Sequence, residues 1–89
     1  MGVHLGLAPT VLRLGGLRVV VYPNDHRPAH VHVNGRGCEA VFNLNCLAGP
    51  VELREIYGFR GGELSRMLDV LTANLEDLCR AWEHIHGIA

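Results

Sequence analysis

Residues 11–44, VLRLGGLRVVVYPNDHRPAHVHVNGRGCEAVFNL, contain four short runs of apolar and β-branched residues separated by glycine, proline and asparagine. Such runs are typical of β-strands, and the turn residues between them are typical of hairpins. We predict strands at 11–14, 17–22, 30–34 and 38–44. Gly15-Gly16 is the predicted first hairpin turn and Gly35-Arg36 the predicted loop of the second, while residues 51–54 fit a further strand or the start of a helical turn.

The C-terminal part of the chain has the three- and four-residue apolar spacing of an amphipathic helix. The apolar positions are Leu64, Met67, Leu68, Leu71, Leu75, Leu78, Trp82 and Ile85. A continuous helix over 63–86 would be roughly 36 Å long, which is longer than a domain of this size covers. We therefore expect either a kink near 72–74, with Asn74 capping a second helix, or a protruding helix that forms a homodimer.

Together these patterns predict an α+β fold: a small antiparallel sheet of three to five strands packed against one long or kinked C-terminal helix, or two helices. The 89 residues, 48% of them hydrophobic, are expected to form a single domain spanning 1–89. Its sheet occupies about 10–54 and its helical part about 61–86.

Composition also limits the class of protein. No apolar run approaches the roughly 20 residues of a membrane-spanning helix, and the N-terminus lacks the features of a signal peptide. We therefore expect a cytoplasmic protein without a membrane partner. The three cysteines, Cys38, Cys46 and Cys79, have no CxxC spacing and are expected to be reduced thiols.

Three of the six histidines lie in NDHRPAHVHV, residues 24–33. Because side chains alternate along a strand, His30 and His32 should share one face of the sheet. The predicted second hairpin places Glu39 directly opposite His32, with Asn43 further along the same face. His26 should lie close by, on the preceding turn.

Three interpretations of this tract stay open, and the first is a metal site. His26, His30 and His32 carry donor atoms suited to a divalent cation such as zinc. Under the other two interpretations the protein needs no cofactor.

The second interpretation is general acid-base chemistry, in which His30 or His32 transfers a proton and Glu39 or Asp25 orients it. Arg27 or Arg36 would stabilise a phosphate or an oxyanion. This set could support metal-independent cleavage of RNA, which makes RNA a candidate partner.

The third interpretation is structural, and it makes the tract a binding surface at most. Asp25 would cap the turn, His26 and His30 would bond to loop carbonyls, and His32 would pair with Glu39 on an exposed face. A protein partner could then bind around Asp25, His26, Arg36 and Asn43.

A family resemblance adds context to these interpretations. The string VLRLGGLRVVVYPNDHRPAHVHV, followed by EAVFNL, VEL, YGF, EL and LCRAWEHIHG, resembles domain-of-unknown-function family 4160, a small bacterial family. Its members carry a GG hairpin, a DHxPPHVHV tract, an EAKFWL-like strand, a GFS-x-x-EL helix start and a terminal AW. The resemblance covers roughly residues 10–87 and implies a toxin-like component of a bacterial or phage toxin-antitoxin module, encoded beside a small protein partner.

The chain departs from the family pattern at three positions. Ala29 replaces the second proline before the histidines, and Arg60 replaces the serine at the helix start, leaving Gly61 or Gly62 to cap the helix. Asn43 replaces a tryptophan on the predicted histidine face. If that ring stacks on a substrate or partner in the family, its loss indicates that this chain has been repurposed. The competing class of protein is a noncatalytic inhibitor or adaptor on a phage or mobile element, of the anti-CRISPR kind, which would use the same scaffold only to bind a host complex.

Overall fold

The computed structural model describes residues 9–87. Residues 1–8, for which the sequence predicts no signal peptide, lie outside the described residues, as do 88 and 89. The described elements are β1 (Thr10–Leu14), β2 (Leu17–Val20), β3 (His30–Gly35), β4 (Cys38–Asn43), β5 (Glu52–Tyr57), α1 (Gly61–Ala73) and α2 (Leu75–His86). This order confirms the predicted α+β fold. Of the predicted three to five strands and one or two helices, the structure has five strands and two helices.

The five strands form one antiparallel sheet in the order β1-β2-β3-β4-β5, so every strand pairs with its neighbour in sequence. Gly15 has a φ of 62° in the tight β1–β2 turn, which confirms the first predicted hairpin. Residues 51–54 were predicted as a short strand or a helical turn, and the structure has the longer strand β5 there. An irregularity in the β4–β5 pairing leaves Arg54 without a direct partner opposite.

The second hairpin is shifted from the predicted register. Arg36 and Gly37 form its loop, with φ values of 54° and 75°, whereas the sequence pointed to Gly35 and Arg36. Gly35 stays in β3 opposite Cys38, where an added Cβ would come 2.5 Å from Leu17 Cδ2. A glycine in the strand at this position allows the close approach of the β1–β2 turn, and the loop lies one residue later than predicted.

One face of the sheet packs against the two helices. The fully buried core residues include Val19, Val31, Val33, Phe42, Leu44, Met67, Leu71, Leu78 and Trp82. Leu64, Leu68, Leu75 and Ile85 pack against this core at partly buried positions. The predicted apolar stripe of the C-terminal segment therefore does cover the sheet.

The helical segment is broken at Asn74, which confirms the predicted kink. Residues 61–86 therefore do not form the single protruding helix that was the argument for a homodimer. Asn74 does not cap α2 with its side chain. Its Nδ2 donates instead to the carbonyl of Val70, at 2.8 Å, and so stabilises the end of α1. At the start of α1 the N-cap is Arg60 rather than Gly61 or Gly62, and Glu63 Oε1 accepts a hydrogen bond from the Arg60 amide.

Cys46 and Cys79 form a disulfide that ties the β4–β5 loop to α2, while Cys38 is free. The prediction of three reduced thiols was therefore wrong for two of them, because sequence spacing does not reveal that this loop folds onto α2. The two crosslinked cysteines are 33 residues apart in the sequence. In the chain-entropy model a loop of that length destabilises the unfolded state by about 4 kcal/mol.

Candidate functional site

Strand β3 carries the two histidines of the candidate site on one face of the sheet. His30 is buried and His32 half-buried, and their ring centroids are 5.3 Å apart. Val20 and Val41 flank His32 on the neighbouring strands and are buried outside the main core. The histidine face is thus partly enclosed, which the sequence did not reveal.

Asp25 reaches both histidines from the turn that precedes β3. Its Oδ2 atom lies 3.1 Å from Nε2 of His30 and 3.1 Å from Nε2 of His32. The sequence offered Asp25 as a turn cap or an orienting carboxylate, and the structure places its carboxylate on the two imidazoles. One carboxylate oxygen therefore joins the two rings.

The second nitrogen of each ring also faces an oxygen acceptor. His32 Nδ1 is 2.9 Å from Glu39 Oε2, and His30 Nδ1 is 2.8 Å from the carbonyl of Pro28. The predicted pairing of His32 with Glu39 is confirmed, although Glu39 is diagonal to His32 because Asn34 takes the position directly opposite it. We call Asp25, His30, His32 and Glu39 the histidine-carboxylate cluster.

Aromatic side chains that the sequence reasoning did not name surround this cluster. The Tyr22 ring packs edge-on against His32 at 4.6 Å, and its hydroxyl accepts a hydrogen bond from Asn34 Nδ2 at 3.0 Å. Trp82 of α2 lies 5.3 Å from the His30 ring. Alternation along the second strand could have identified Tyr22, which lies two residues beyond Val20.

Trp82 also links the site to the end of α2, because His86 stacks on it at 3.7 Å with an interplanar angle of 18°. His86 Nδ1 lies 3.1 Å from the Trp82 carbonyl. His86 is therefore half-buried, whereas His84 on the same helix is exposed.

Three predicted site residues, His26, Arg27 and Arg36, lie away from the cluster, and a fourth, Asn43, lies beside it. His26 and Arg27 are exposed on the turn, and Arg27 lines a separate shallow groove together with Asn45 and Cys46. Arg36 is at the far tip of the β3–β4 hairpin. Asn43 lies opposite His30, and its Oδ1 atom is buried without a hydrogen-bond partner among residues 9–87.

Arg36 pairs with Glu63 of α1 and lies 5.8 Å from the centre of the Phe59 ring. The hydrogen bond from Arg36 lowers the pKa of Glu63, and the Arg60 amide lowers it further. The same hydrogen bond raises the pKa of Arg36. Arg36 thus fastens the hairpin to α1 and is not positioned to stabilise an anion at the cluster.

The arrangement can bind a cation or transfer protons. Asp25, His30 and His32 each offer a donor atom, and these atoms lie within 4.8 Å of one another. The sequence predicted His26 as the third metal ligand, and the structure brings Asp25 to the two histidines instead. Arg27 and Arg36, which were predicted to stabilise a phosphate or an oxyanion in an acid-base site, both lie away from the cluster.

A family model described as a domain of unknown function (DUF4160) matches residues 16–83. The chain belongs to this family. The matched residues of this DUF4160 domain include the whole histidine-carboxylate cluster and Trp82. No match was found among curated proteins or among solved structures.

Within residues 9–87, neither helix is long and apolar enough to cross a membrane.

Proposed function

We propose that this chain is the toxin-like component of a bacterial or phage toxin-antitoxin module and that its toxicity depends on the histidine-carboxylate cluster. The observation that carries this proposal is the convergence of two imidazoles and two carboxylates on a partly buried sheet face. The family resemblance supplies the biological setting, in which a small protein partner restrains the toxin.

A purely structural role for the cluster is a weak explanation of its composition. Burying ionisable groups carries a desolvation cost, and well-packed apolar residues often serve stability as well or better. Val20 and Val41 are accommodated directly beside His32 on the same face. The fold thus accepts apolar side chains there, and the polar cluster points to a use beyond stability.

The cluster is also reachable from solvent. The exposed side-chain fractions are 6% for His30, 16% for His32, 20% for Asp25 and 46% for Glu39. Asp25, His32 and Glu39 thus each keep part of their side chain in contact with solvent.

Inducible expression in a bacterial host tests the proposal. We expect the wild-type chain to arrest growth and His30→Ala/His32→Ala to abolish the arrest, with far-ultraviolet circular dichroism confirming the fold. His26→Ala is the matched control, because this exposed histidine lies on the adjoining turn and outside the cluster; it should stay toxic. Toxicity that survives the double substitution, or a wild-type chain that does not affect growth, would contradict the proposal.

A noncatalytic inhibitor that binds a host complex is the second candidate, and the exposure of β5 favours it. All six residues of this edge strand are exposed, including Leu53, Ile56 and Tyr57, the last at 73%. An exposed edge strand can pair with another chain. In this case Tyr57→Ser with Ile56→Ser would abolish the effect on the host, and the histidine substitutions would not.

A further inference from the structure

The two histidine nitrogens of the cluster converge on a single oxygen of Asp25. His30 Nε2 and His32 Nε2 both lie 3.1 Å from the same Asp25 oxygen. Two ligands bound tetrahedrally to one zinc ion at bonds of about 2.0–2.1 Å are roughly 3.4 Å apart. Small side-chain adjustments would therefore admit an ion between the three residues.

The outer contacts of both histidines match those of metal-bound imidazoles. A ligating histidine usually donates its second ring N–H to a carboxylate or a backbone carbonyl, which orients the ring. His32 Nδ1 has the Glu39 carboxylate as its acceptor, and His30 Nδ1 has the Pro28 carbonyl. When the proton of each ring is on Nδ1, it is donated to these acceptors and the Nε2 lone pair is free to bind a cation.

Hydrogen bonding alone does not satisfy both neutral rings. A neutral imidazole has a single N–H, whereas His30 and His32 each have an oxygen acceptor beside both nitrogens. In the neutral form, one nitrogen of each ring therefore has a lone pair that faces an oxygen lone pair, and with the proton on Nδ1 that nitrogen is Nε2, beside Asp25. A cation between these atoms removes that mismatch.

We propose that Asp25, His30 and His32 bind one divalent transition-metal ion, with Glu39 and the Pro28 carbonyl orienting the histidines. Two imidazole nitrogens and one carboxylate oxygen suit zinc, and three protein ligands leave a coordination position for water or substrate. Asn43 pairs with His30 across the sheet, and its buried Oδ1, which has no hydrogen-bond partner among residues 9–87, is a candidate acceptor for a water on the ion. This inference deepens the proposed function, because it names a cofactor for the same cluster. Metal binding itself does not require the chain to be a toxin.

Metal titration of the full-length chain, purified without a histidine tag and stripped with a chelator, tests the site. We expect isothermal titration calorimetry with zinc to give one site per chain, elemental analysis to give one equivalent, and the melting temperature to rise with added zinc. Asp25→Ala and His32→Ala should each abolish that site. Glu39→Gln should keep the stoichiometry and weaken binding by roughly 10- to 100-fold.

Two controls separate this site from other zinc-binding groups. His26→Ala removes an exposed neighbouring histidine and Cys38→Ser removes the free thiol, and both should bind zinc as the wild type does. The cobalt complex of the wild type should lack a thiolate-to-metal absorption band.

Two outcomes would overturn the inference. One is a wild-type chain that binds none of zinc, manganese, iron and nickel, which would leave protonated histidines bonded to the two carboxylates as the explanation. The other is binding that is lost in His26→Ala and kept in Asp25→Ala. Because binding is measured apart from growth arrest, a metal-free toxin and a metal-binding nontoxic chain are distinguishable results.

Discussion

The two faces of the β3–β4 hairpin are built from the same strands but differ in chemistry. On one face Val31, Val33 and Phe42 are fully buried beneath the helices. On the other, the Asp25 carboxylate joins His30 to His32, and Val41 lies opposite His32. The first face is explained by burial of apolar area alone, whereas the second contains polar groups that stability does not require.

The largest expected effect is on the free energy of unfolding, when the same valine-to-alanine truncation is made on each of the two faces. Val31→Ala removes two methyl groups from the core and should cost roughly 2–3 kcal/mol in the free energy of unfolding. Val41→Ala makes the same deletion on the histidine face, outside the main core, and should cost about 1 kcal/mol because fewer apolar groups surround it. Urea denaturation of both variants measures the difference. Equal losses would mean that the histidine face is packed as tightly as the core.

Strand alternation explains why the composition of both faces could be predicted. The second hairpin loop lies one residue later than predicted, which moves each cross-strand partner by two positions. A shift of two keeps every side chain on its predicted face, because the side-chain period of a strand is also two. His32 and Glu39 therefore still meet, diagonally rather than directly opposite.

The contacts that cross loops could not be predicted in the same way. Asp25 reaches β3 through an irregular turn, and Cys46 meets Cys79 through the β4–β5 loop. Neither periodicity nor residue spacing specifies the path of such a segment. Trp82 was predicted as a core residue, and its contact with His30 depends on the break at Asn74, which sets where α2 lies over the sheet.

A double-mutant cycle on the cluster tests whether its members act as a unit. Asp25→Ala and His32→Ala should each destabilise the metal-free protein, because each leaves a partly buried partner unpaired. The double variant should cost less than the sum, with a coupling energy of about 1–2 kcal/mol. Chemical denaturation of the wild type and the three variants measures it. Asp25→Ala combined with Arg80→Ala is the control, since Arg80 is an exposed residue of α2 paired with Glu76, and its coupling to Asp25 should be near zero.

The smallest expected effect concerns the exposed Arg36–Glu63 pair, which lies at the opposite end of β3 from the cluster. Because the pKa of Glu63 is lowered in the folded state, its stabilising contribution is present above the ordinary glutamate pKa and is lost as the pH falls through the lowered value. The wild type should therefore be slightly more stable than Glu63→Gln at neutral pH, and the difference should vanish in strong acid.

Urea midpoints from pH 7 down to pH 2 measure this difference. Arg36→Gln should keep part of the pH dependence, because the Arg60 amide still donates to Glu63. A difference between wild type and Glu63→Gln that does not change with pH would show that Glu63 acts through packing rather than charge. Contact between the hairpin and α1, rather than the charge of this exposed pair, would then account for what Glu63 contributes to stability.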